Sequence, residues 1–98
     1  MDKGYVIETL RRHELELKAA GIVHLRLFGS VARGEESTQS DVDLMADLDR
    51  SKRLTLFNLA HLESRLSELL GVKADLALAD SMKERVRARA AHEAIDAF

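Results

Sequence analysis

Three aspartates in this sequence could carry chemistry together. Asp41 and Asp43 stand two residues apart in a stretch that alternates apolar and acidic residues, and Asp75 stands in a later stretch of similar pattern. Side chains two apart on a strand leave the same face, about 6–7 Å from each other along the chain. Carboxylates gathered on one open face repel each other, and proteins tolerate this chiefly when divalent cations neutralise the charge.

The donor chemistry of these aspartates indicates which cation they would take. Carboxylate oxygens are hard ligands, and no histidine or cysteine stands among them, so the set favours Mg²⁺ or Mn²⁺ over zinc. Two such ions about 3.5–4 Å apart would suit an in-line displacement at phosphorus.

A second group of residues lies upstream, where Gly29 and Ser30 follow an apolar stretch. Glycine lets a backbone approach a phosphate closely, and the following N–H groups and the Ser30 hydroxyl could donate hydrogen bonds to its oxygens. A Gly-Ser turn alone is usually structural, and an Asp-x-Asp pair alone is usually solvated. Together they indicate a nucleoside triphosphate chelated by metal.

Two better-known motifs do not fit. Gly29 and Gly34 have the glycine spacing of a P-loop, but the pair Glu35-Glu36 stands where Lys and Ser or Thr are required. The segment Asp41-Val42-Asp43 begins like an EF-hand calcium loop, yet Ala46 occupies the position of the obligatory glycine. The chemistry must therefore rest on the combination of the turn with the aspartates.

Hydrophobic periodicity predicts the elements that position these groups in the first half of the chain. Residues 2–20 predict an amphipathic helix that Asp2 caps and Gly21 ends. Residues 23–28 alternate and predict a strand. Its two predicted faces are Val23, Leu25 and Leu27 on one side and His24, Arg26 and Phe28 on the other. A tight turn with one helical turn over 29–34 and a polar loop over 35–40 follow.

The second half of the chain repeats the alternation of strand and helix. A strand from Asp41 to Asp49 turns Met45 to the same side as the acids, and a helix over 55–70 ends at Gly71. A third strand over 72–79 places Asp75 on its outward face, and a last helix over 81–95 begins at a cap formed by Asp80 or Ser81.

This order of elements predicts a mixed α+β fold. The helix between strands two and three favours a parallel pair, whereas the short link between strands one and two allows an antiparallel pair. We expect a three-stranded mixed sheet with helices on one face and an open, acidic face on the other. Residues 1–98 form one domain, since a chain of 98 residues has room for one hydrophobic core.

Composition excludes several classes of protein. Hydrophobic residues make up 46% of the chain and charged residues 33%, which is a globular balance. The absence of cysteine excludes disulfides, thiolate catalysis and cysteine-based metal sites. Apolar runs fall far short of the roughly 20 residues that span a bilayer, and no signal segment begins the chain, so we expect a soluble, cytoplasmic protein without membrane contact.

The charge distribution argues against a dedicated nucleic-acid-binding protein. Fifteen Lys and Arg against seventeen Asp and Glu give a net charge of −2, and one Tyr, three Phe and no Trp offer few stacking surfaces. Stable nucleic-acid binding is therefore not expected. The run from Lys83 to Arg89, with four basic residues and one acid, predicts a solvated helix face.

The motifs resemble a known family. Gly29-Ser30, ten residues, then Asp41-Val42-Asp43 is similar to the Gly-Ser-x₁₀-Asp-x-Asp signature of the DNA polymerase beta-like nucleotidyltransferases. Residues 70–76 resemble the strand that carries the third carboxylate, although Ala74 stands where relatives usually have a bulkier aliphatic residue. The resemblance covers the whole chain and is closest to the minimal nucleotidyltransferase (MNT) antitoxin subfamily.

The resemblance implies roles for the aspartates. Asp41 and Asp43 would bind both metal ions. These would be two Mg²⁺ ions, for which Mn²⁺ could substitute. Asp75 would complete the metal site on the side of the nucleophile and would help to take its proton.

The resemblance also implies phosphate-binding residues. Gly29 and Ser30 would hold the phosphates of ATP. By its position Arg33 could reach a phosphate, although pairing with Glu35 or Glu36 explains it equally well.

The family resemblance implies an activity and a partner. It implies Mg²⁺-dependent transfer of AMP from ATP to a tyrosine hydroxyl of a HEPN-domain ribonuclease toxin, with which the chain would form a hetero-oligomer as its antitoxin. Two alternatives stay open: a non-enzymatic antitoxin that neutralises the toxin by binding it, and nucleotidyl transfer to a hydroxyl of RNA or of a small molecule.

Overall fold

The computed structural model of the protein describes residues 2–35 and 41–98. Within these ranges the helices and strands follow in this order: α1 (Lys3–Arg12), α2 (Glu14–Ala19), β1 (Ile22–Phe28), α3 (Gly29–Ala32), β2 (Val42–Leu48), α4 (Leu56–Leu70), β3 (Ala74–Leu78), α5 (Glu84–Glu93) and β4 (Ile95–Asp96). A 3₁₀ turn, Ala79–Ser81, joins β3 to α5. Apart from Glu35, the polar loop predicted over 35–40 lies outside the described residues.

The strands form one mixed sheet in the order β3-β2-β1-β4. As predicted, β2 and β3 are parallel and β1 and β2 are antiparallel. The α+β fold class is therefore confirmed, with one strand more than expected. That strand, β4, pairs antiparallel with β1 through Arg26 and Leu27. Only two residues form β4, too few for an alternating pattern to show in the sequence.

The first predicted helix is divided in the structure. Asp2 caps α1 as expected, since its carboxylate accepts a hydrogen bond from the Tyr5 N–H. The helix over 2–20 was predicted as continuous, but His13 leaves helical geometry with φ −106° and ψ 19°, and α2 begins at the next residue. At this break, Nδ1 of the His13 ring lies within hydrogen-bonding distance, 2.9 Å, of the Thr9 carbonyl oxygen in α1.

The ends of the later helices follow local capping chemistry in one case and not in the other. Gly71 ends α4 as predicted, in the left-handed region that glycine adopts without strain. The prediction that Asp80 or Ser81 caps the last helix is wrong, because both residues belong to the 3₁₀ turn and α5 begins at Glu84 without a side-chain cap.

The main hydrophobic core lies between the sheet and helices α1, α2 and α4. Its largest fully buried side chains include Leu10, Leu17, Leu25, Leu44 and Leu66. One residue of the predicted face Val23, Leu25 and Leu27 does not share the burial of the others: Val23 is 54% exposed, whereas Ile22 is fully buried. An irregularity in the β1–β2 register between Ile22 and His24 shifts the alternation of side chains there.

Helix α5 differs from the expectation that helices cover one face only. It packs on the opposite, acid-bearing face, where Ala90 lies against Met45, with Ala79, Met82 and Phe28 around them. Met45 is consequently only 2% exposed. Met45 therefore lies on the same face as the aspartates, as predicted, but it is covered by α5.

Among residues 2–35 and 41–98, none of the helices has the length and apolar character needed to cross a membrane.

Candidate active site

Strand pairing places two of the three aspartates side by side. Asp43 on β2 is the direct register partner of Asp75 on parallel β3. Asp41 immediately precedes β2, where the Val42 N–H donates to the Lys73 carbonyl oxygen. Because Val42 and Leu44 turn into the core, the intervening Asp43 points to the other face. The structure thus gathers the three predicted aspartates at one end of the sheet.

The Gly29-Ser30 turn lies directly against this acidic end. Phe28, the last residue of β1, pairs with Asp43 across the sheet, and α3 begins at the next residue. Gly29 has φ +76°, and a Cβ placed on it would overlap the Asp43 carboxylate oxygen Oδ2 and lie 3.1 Å from the Asp43 Cβ. Glycine is required here for both reasons. Ser30 follows in α3 and is half-buried.

The electrostatic environment works against the ionised form of Asp43. Partial burial raises the pKa of its carboxyl above the ordinary value, and the neighbouring charges of Asp75 and Asp41 raise it further. The positive charge of Arg33 acts in the opposite direction and is outweighed. Negative charge at this end of the sheet is therefore incompletely compensated by the protein's own cations.

Lys73 is a member of the site that the sequence did not single out. Its ammonium Nζ lies 3.9 Å from Asp41 Oδ2 and 3.8 Å from Asp75 Oδ1. The signal was present, since Lys73 precedes Asp75 by two residues and so shares its face. The Lys73 side chain is 69% exposed, so the solvent screens these ion pairs and each contributes little to stability.

Arg33 is engaged by protein carboxylates. Its Nε lies 3.1 Å from Glu35 Oε2, and its Nη1 lies 2.9 Å from Glu93 Oε2 on α5. The hydrogen bonds that the guanidinium donates to Glu35 and then to Glu93 raise its pKa. The pairing with Glu35 confirms one predicted alternative. The partner Glu93 was missed, because 60 residues separate it from Arg33.

The donor set at this end of the sheet suits a hard divalent cation in type. In the part of the chain that the structure describes, no three carboxylate, imidazole or thiol side chains form a ready-made metal cluster. Asp41, Asp43 and Asp75 are nevertheless oxygen donors of the kind that Mg²⁺ and Mn²⁺ prefer. Burial first, and then the charges of Asp75 and Asp41, raise the pKa of the Asp43 carboxyl. Among the described residues, these donors therefore suit a hard divalent cation in chemical type, but they do not form a preformed cluster.

Comparison with known proteins finds close relatives in sequence. The nucleotidyltransferase domain family matches residues 10–97. Protein adenylyltransferase MntA of Thermococcus cleftensis is 36% identical over 78 residues, which cover 79% of this chain and 77% of that protein. A Methanocaldococcus jannaschii protein assigned as a protein adenylyltransferase is 38% identical over 76 residues, 76% of each chain.

Solved structures with the same fold include closer and more distant proteins. A structure assigned as a minimal nucleotidyltransferase superposes with a TM-score of 0.76 at 39% identity, covering 97% of this chain and 95% of that one. The complex of a tri-AMPylated Shewanella oneidensis HEPN toxin with its MNT antitoxin gives a TM-score of 0.67 at 15% identity, covering 94% and 71%. The second match shows the fold alone.

Proposed function

Because this chain belongs to the nucleotidyltransferase domain family, we propose that it transfers AMP from ATP, with Mg²⁺, to a tyrosine hydroxyl of a HEPN-domain toxin. In this role it acts as the antitoxin of that toxin. The observation that carries the proposal is the packing of Gly29 against Asp43, which is itself in register with Asp75. A phosphate-binding turn and an acidic pair are thereby adjacent.

The adjacency of turn and acids suits transfer at the α-phosphorus. The acceptor oxygen attacks that phosphorus, the bond from phosphorus to the oxygen that bridges to the β-phosphate breaks, and pyrophosphate leaves. The proton of the acceptor hydroxyl passes to Asp75 or to water. Gly29 and Ser30 hold the phosphates through backbone N–H groups and the Ser30 hydroxyl, so that the reacting atoms stay aligned.

The aspartates would hold the metal in this proposal. Asp41, Asp43 and Asp75 are the ligands, and bound Mg²⁺ would neutralise the charge that develops on the phosphoryl oxygens. Burial first, and then the charges of Asp75 and Asp41, raise the pKa of Asp43 in the protein alone, and such a cation would offset those charges. The register pair Asp43–Asp75 places two of these carboxylates on adjacent strands.

The names of relatives support a protein as the acceptor. Relatives that are 36–38% identical carry the name protein adenylyltransferase. A protein of the same fold is an MNT antitoxin in complex with a tri-AMPylated HEPN toxin. Transfer to RNA or to a small-molecule hydroxyl has no comparable support from these names.

The decisive experiment is a transfer assay read by intact mass. The chain is incubated with ATP, Mg²⁺ and the product of the neighbouring open reading frame, and the partner's mass is measured. We expect the mass to rise by one or more AMP groups, with the modified tyrosine located by peptide fragmentation. The matched control is the Asp41→Asn/Asp43→Asn double variant. A partner of unchanged mass with the wild-type chain would refute the proposal.

Neutralisation by binding is a second candidate, and one feature favours it. Leu56 and Phe57 at the start of α4 are 83% and 88% exposed, an apolar pair suited to protein contact. A pure binder must be present in stoichiometric amount, and its protection must vanish on dilution. An enzyme protects in substoichiometric amount and leaves its target inactive after removal. Lasting protection by a substoichiometric dose of the Asp41→Asn/Asp43→Asn variant would favour a mechanism other than transfer.

A further inference from the structure

Helix α5 presents two flanks of different character on the acid-bearing face. Ala90 is the contact with Met45 that seats the helix on the sheet. Successive helical residues are about 100° apart, so residues three and four positions apart share a flank. By this rule Arg87 and Ala91 lie on one side of Ala90, and Arg89 and Glu93 lie on the other.

The first flank has mixed charge. It forms one wall of an open cleft of about 370 Å³ against β1 and β2. Arg87 and Arg26 line this cleft together with three carboxylates, those of Asp47, Asp80 and Glu84. The positive charge of Arg87 therefore has acidic groups around it within the same cleft.

The second flank is basic. Arg85, Val86 and Arg89 line a separate hollow of about 200 Å³. In the ranges 2–35 and 41–98, no carboxylate lies within 4 Å of the Arg85 or Arg89 guanidinium. The acid on this flank, Glu93, is bound to Arg33 at 2.9 Å. The basic run, predicted as a solvated helix face, is thus divided between two flanks of different charge.

The basic flank adjoins the predicted phosphate-binding turn. Arg33 is the C-cap of α3, the single helical turn that begins at Gly29. Its ion pair with Glu93 holds this flank of α5 against that turn. Arg89 lies one helical turn before Glu93, about 6 Å along the axis, and Arg85 lies one turn before Arg89. The helical positions of Arg89 and Arg85 therefore follow at intervals of one turn from the Arg33–Glu93 ion pair.

We propose that Arg89, with Arg85 behind it, binds the phosphate chain of the nucleoside triphosphate beyond the α-phosphate. This inference rests on the proposed function for the identity of its ligand. Guanidinium groups bind phosphate oxygens in pairs of charge-assisted hydrogen bonds. When the bond to the bridging oxygen breaks, the negative charge that accumulates on the departing pyrophosphate stays paired with Arg89.

The test compares two arginines of the same helix. Arg89→Gln and Arg87→Gln make the same change of charge on opposite flanks, and both side chains are exposed, so both proteins should fold. Calorimetric titrations of the full chain use inorganic tripolyphosphate, ATP and AMP, each with Mg²⁺. We expect Arg89→Gln to weaken binding of tripolyphosphate and ATP about 10- to 100-fold, the range for a lost charge-assisted hydrogen bond, and to leave AMP binding unchanged.

The control variants define the outcomes. Arg87→Gln should stay within about twofold of wild type for the three ligands, because its flank faces the mixed cleft. Arg89→Lys, which keeps the charge without the paired donors, should restore part of the lost affinity. Equal affinity of wild type and Arg89→Gln for tripolyphosphate would overturn the inference. Equal losses in Arg89→Gln and Arg87→Gln would also overturn it, since they would report net charge alone.

Failure of this inference is distinguishable from failure of the proposed function. If wild type transfers AMP and Arg89→Gln binds ATP normally, the arginine assignment falls and the function stands. If tripolyphosphate binding depends on Arg89 but no acceptor gains AMP, the assignment stands and the transfer proposal falls. A wild-type chain that binds no tripolyphosphate would remove the basis for Arg89 directly.

Discussion

The two faces of β2 serve opposite purposes. Val42, Leu44 and Ala46 alternate into the main core and are at most 1% exposed. Asp43, between the first two, faces Asp75 and the Gly29 backbone on the other side. One face stabilises the fold by removing apolar surface from water. The other gathers like charges whose repulsion opposes the fold, so the site depends on stability supplied by the core.

Because of this contrast, substitutions on the two faces should affect different properties, namely stability on one face and activity on the other. Changes on the core face should act on stability and affect activity only through it. Changes at Asp43 or Asp75 on the other face should remove activity while leaving stability unchanged or higher.

Removing one charge of the acid pair should abolish transfer. Asp43→Asn deprives the site of a central carboxylate, and we expect AMP transfer to fall by more than about 10³-fold, or roughly 4 kcal/mol of transition-state stabilisation. Incorporation of labelled AMP into the partner protein measures this. Asp47→Asn is the matched control, because Asp47 lies on the same strand and face but away from the acid pair, beside His24. Near wild-type transfer by Asp43→Asn would show that the acid-bearing face of β2 does not carry the chemistry.

Truncation of a side chain on the core face should lower the stability of the fold. Leu44 is fully buried and is the register partner of Leu27 and Leu76. Leu44→Ala should lower the free energy of unfolding by about 2–5 kcal/mol through lost transfer energy and a residual cavity. Urea unfolding followed by circular dichroism measures the change. Leu15→Ala, at an exposed position on α2, should change stability by less than about 0.5 kcal/mol.

Substitutions at two glycines can distinguish the cost of backbone strain from the cost of a clash with the site. Gly29 and Gly34 have almost the same φ, +76° and +75°, but a Cβ on Gly34 would meet nothing within 4 Å. Gly34→Ala should therefore cost only the left-handed strain, about 1–2 kcal/mol. Gly29→Ala should cost more, because the methyl group must also displace the Asp43 carboxylate, and it should reduce transfer as well. Equal melting temperatures for the two variants would contradict the close approach of Gly29 to Asp43.

The smallest effect is a stability gain that depends on pH. Because the folded protein holds the pKa of Asp43 above its ordinary value, ionisation of this group opposes folding. Its contribution is most favourable below the ordinary pKa and is lost as pH rises through the raised pKa. Without Mg²⁺, Asp43→Asn should thus gain about 0.2–1 kcal/mol over wild type at neutral pH, the scale of a like-charge cross-strand pair.

Urea unfolding of both proteins at neutral and acidic pH checks this sign. The difference between them should shrink as the pH falls, since Asp43 of the wild type then becomes protonated and uncharged. A variant less stable than wild type at neutral pH would show that Asp43 stabilises the fold.

Several features of the fold could be predicted because they depend on local pattern. Alternation along β2 predicted that Asp43 and Met45 share a face, and the structure places both there. The glycine at the end of α4 marked a helix terminus, since few other residues adopt its conformation. The break at His13 could not be predicted, because apolar periodicity continues across it and the interruption involves only one residue.

By itself the sequence determined the types of the main elements, the turn at Gly29 and the shared face of the aspartates, because these follow from spacing along the backbone. Packing between distant segments of the chain set three further features: the contact of α5 with Met45, the ion pair of Arg33 with Glu93, and the place of Lys73 beside Asp41 and Asp75. The small apolar residues of α5, such as Ala90, could pack on either face of the sheet. Long-range packing, which leaves no periodic trace in the sequence, made that choice.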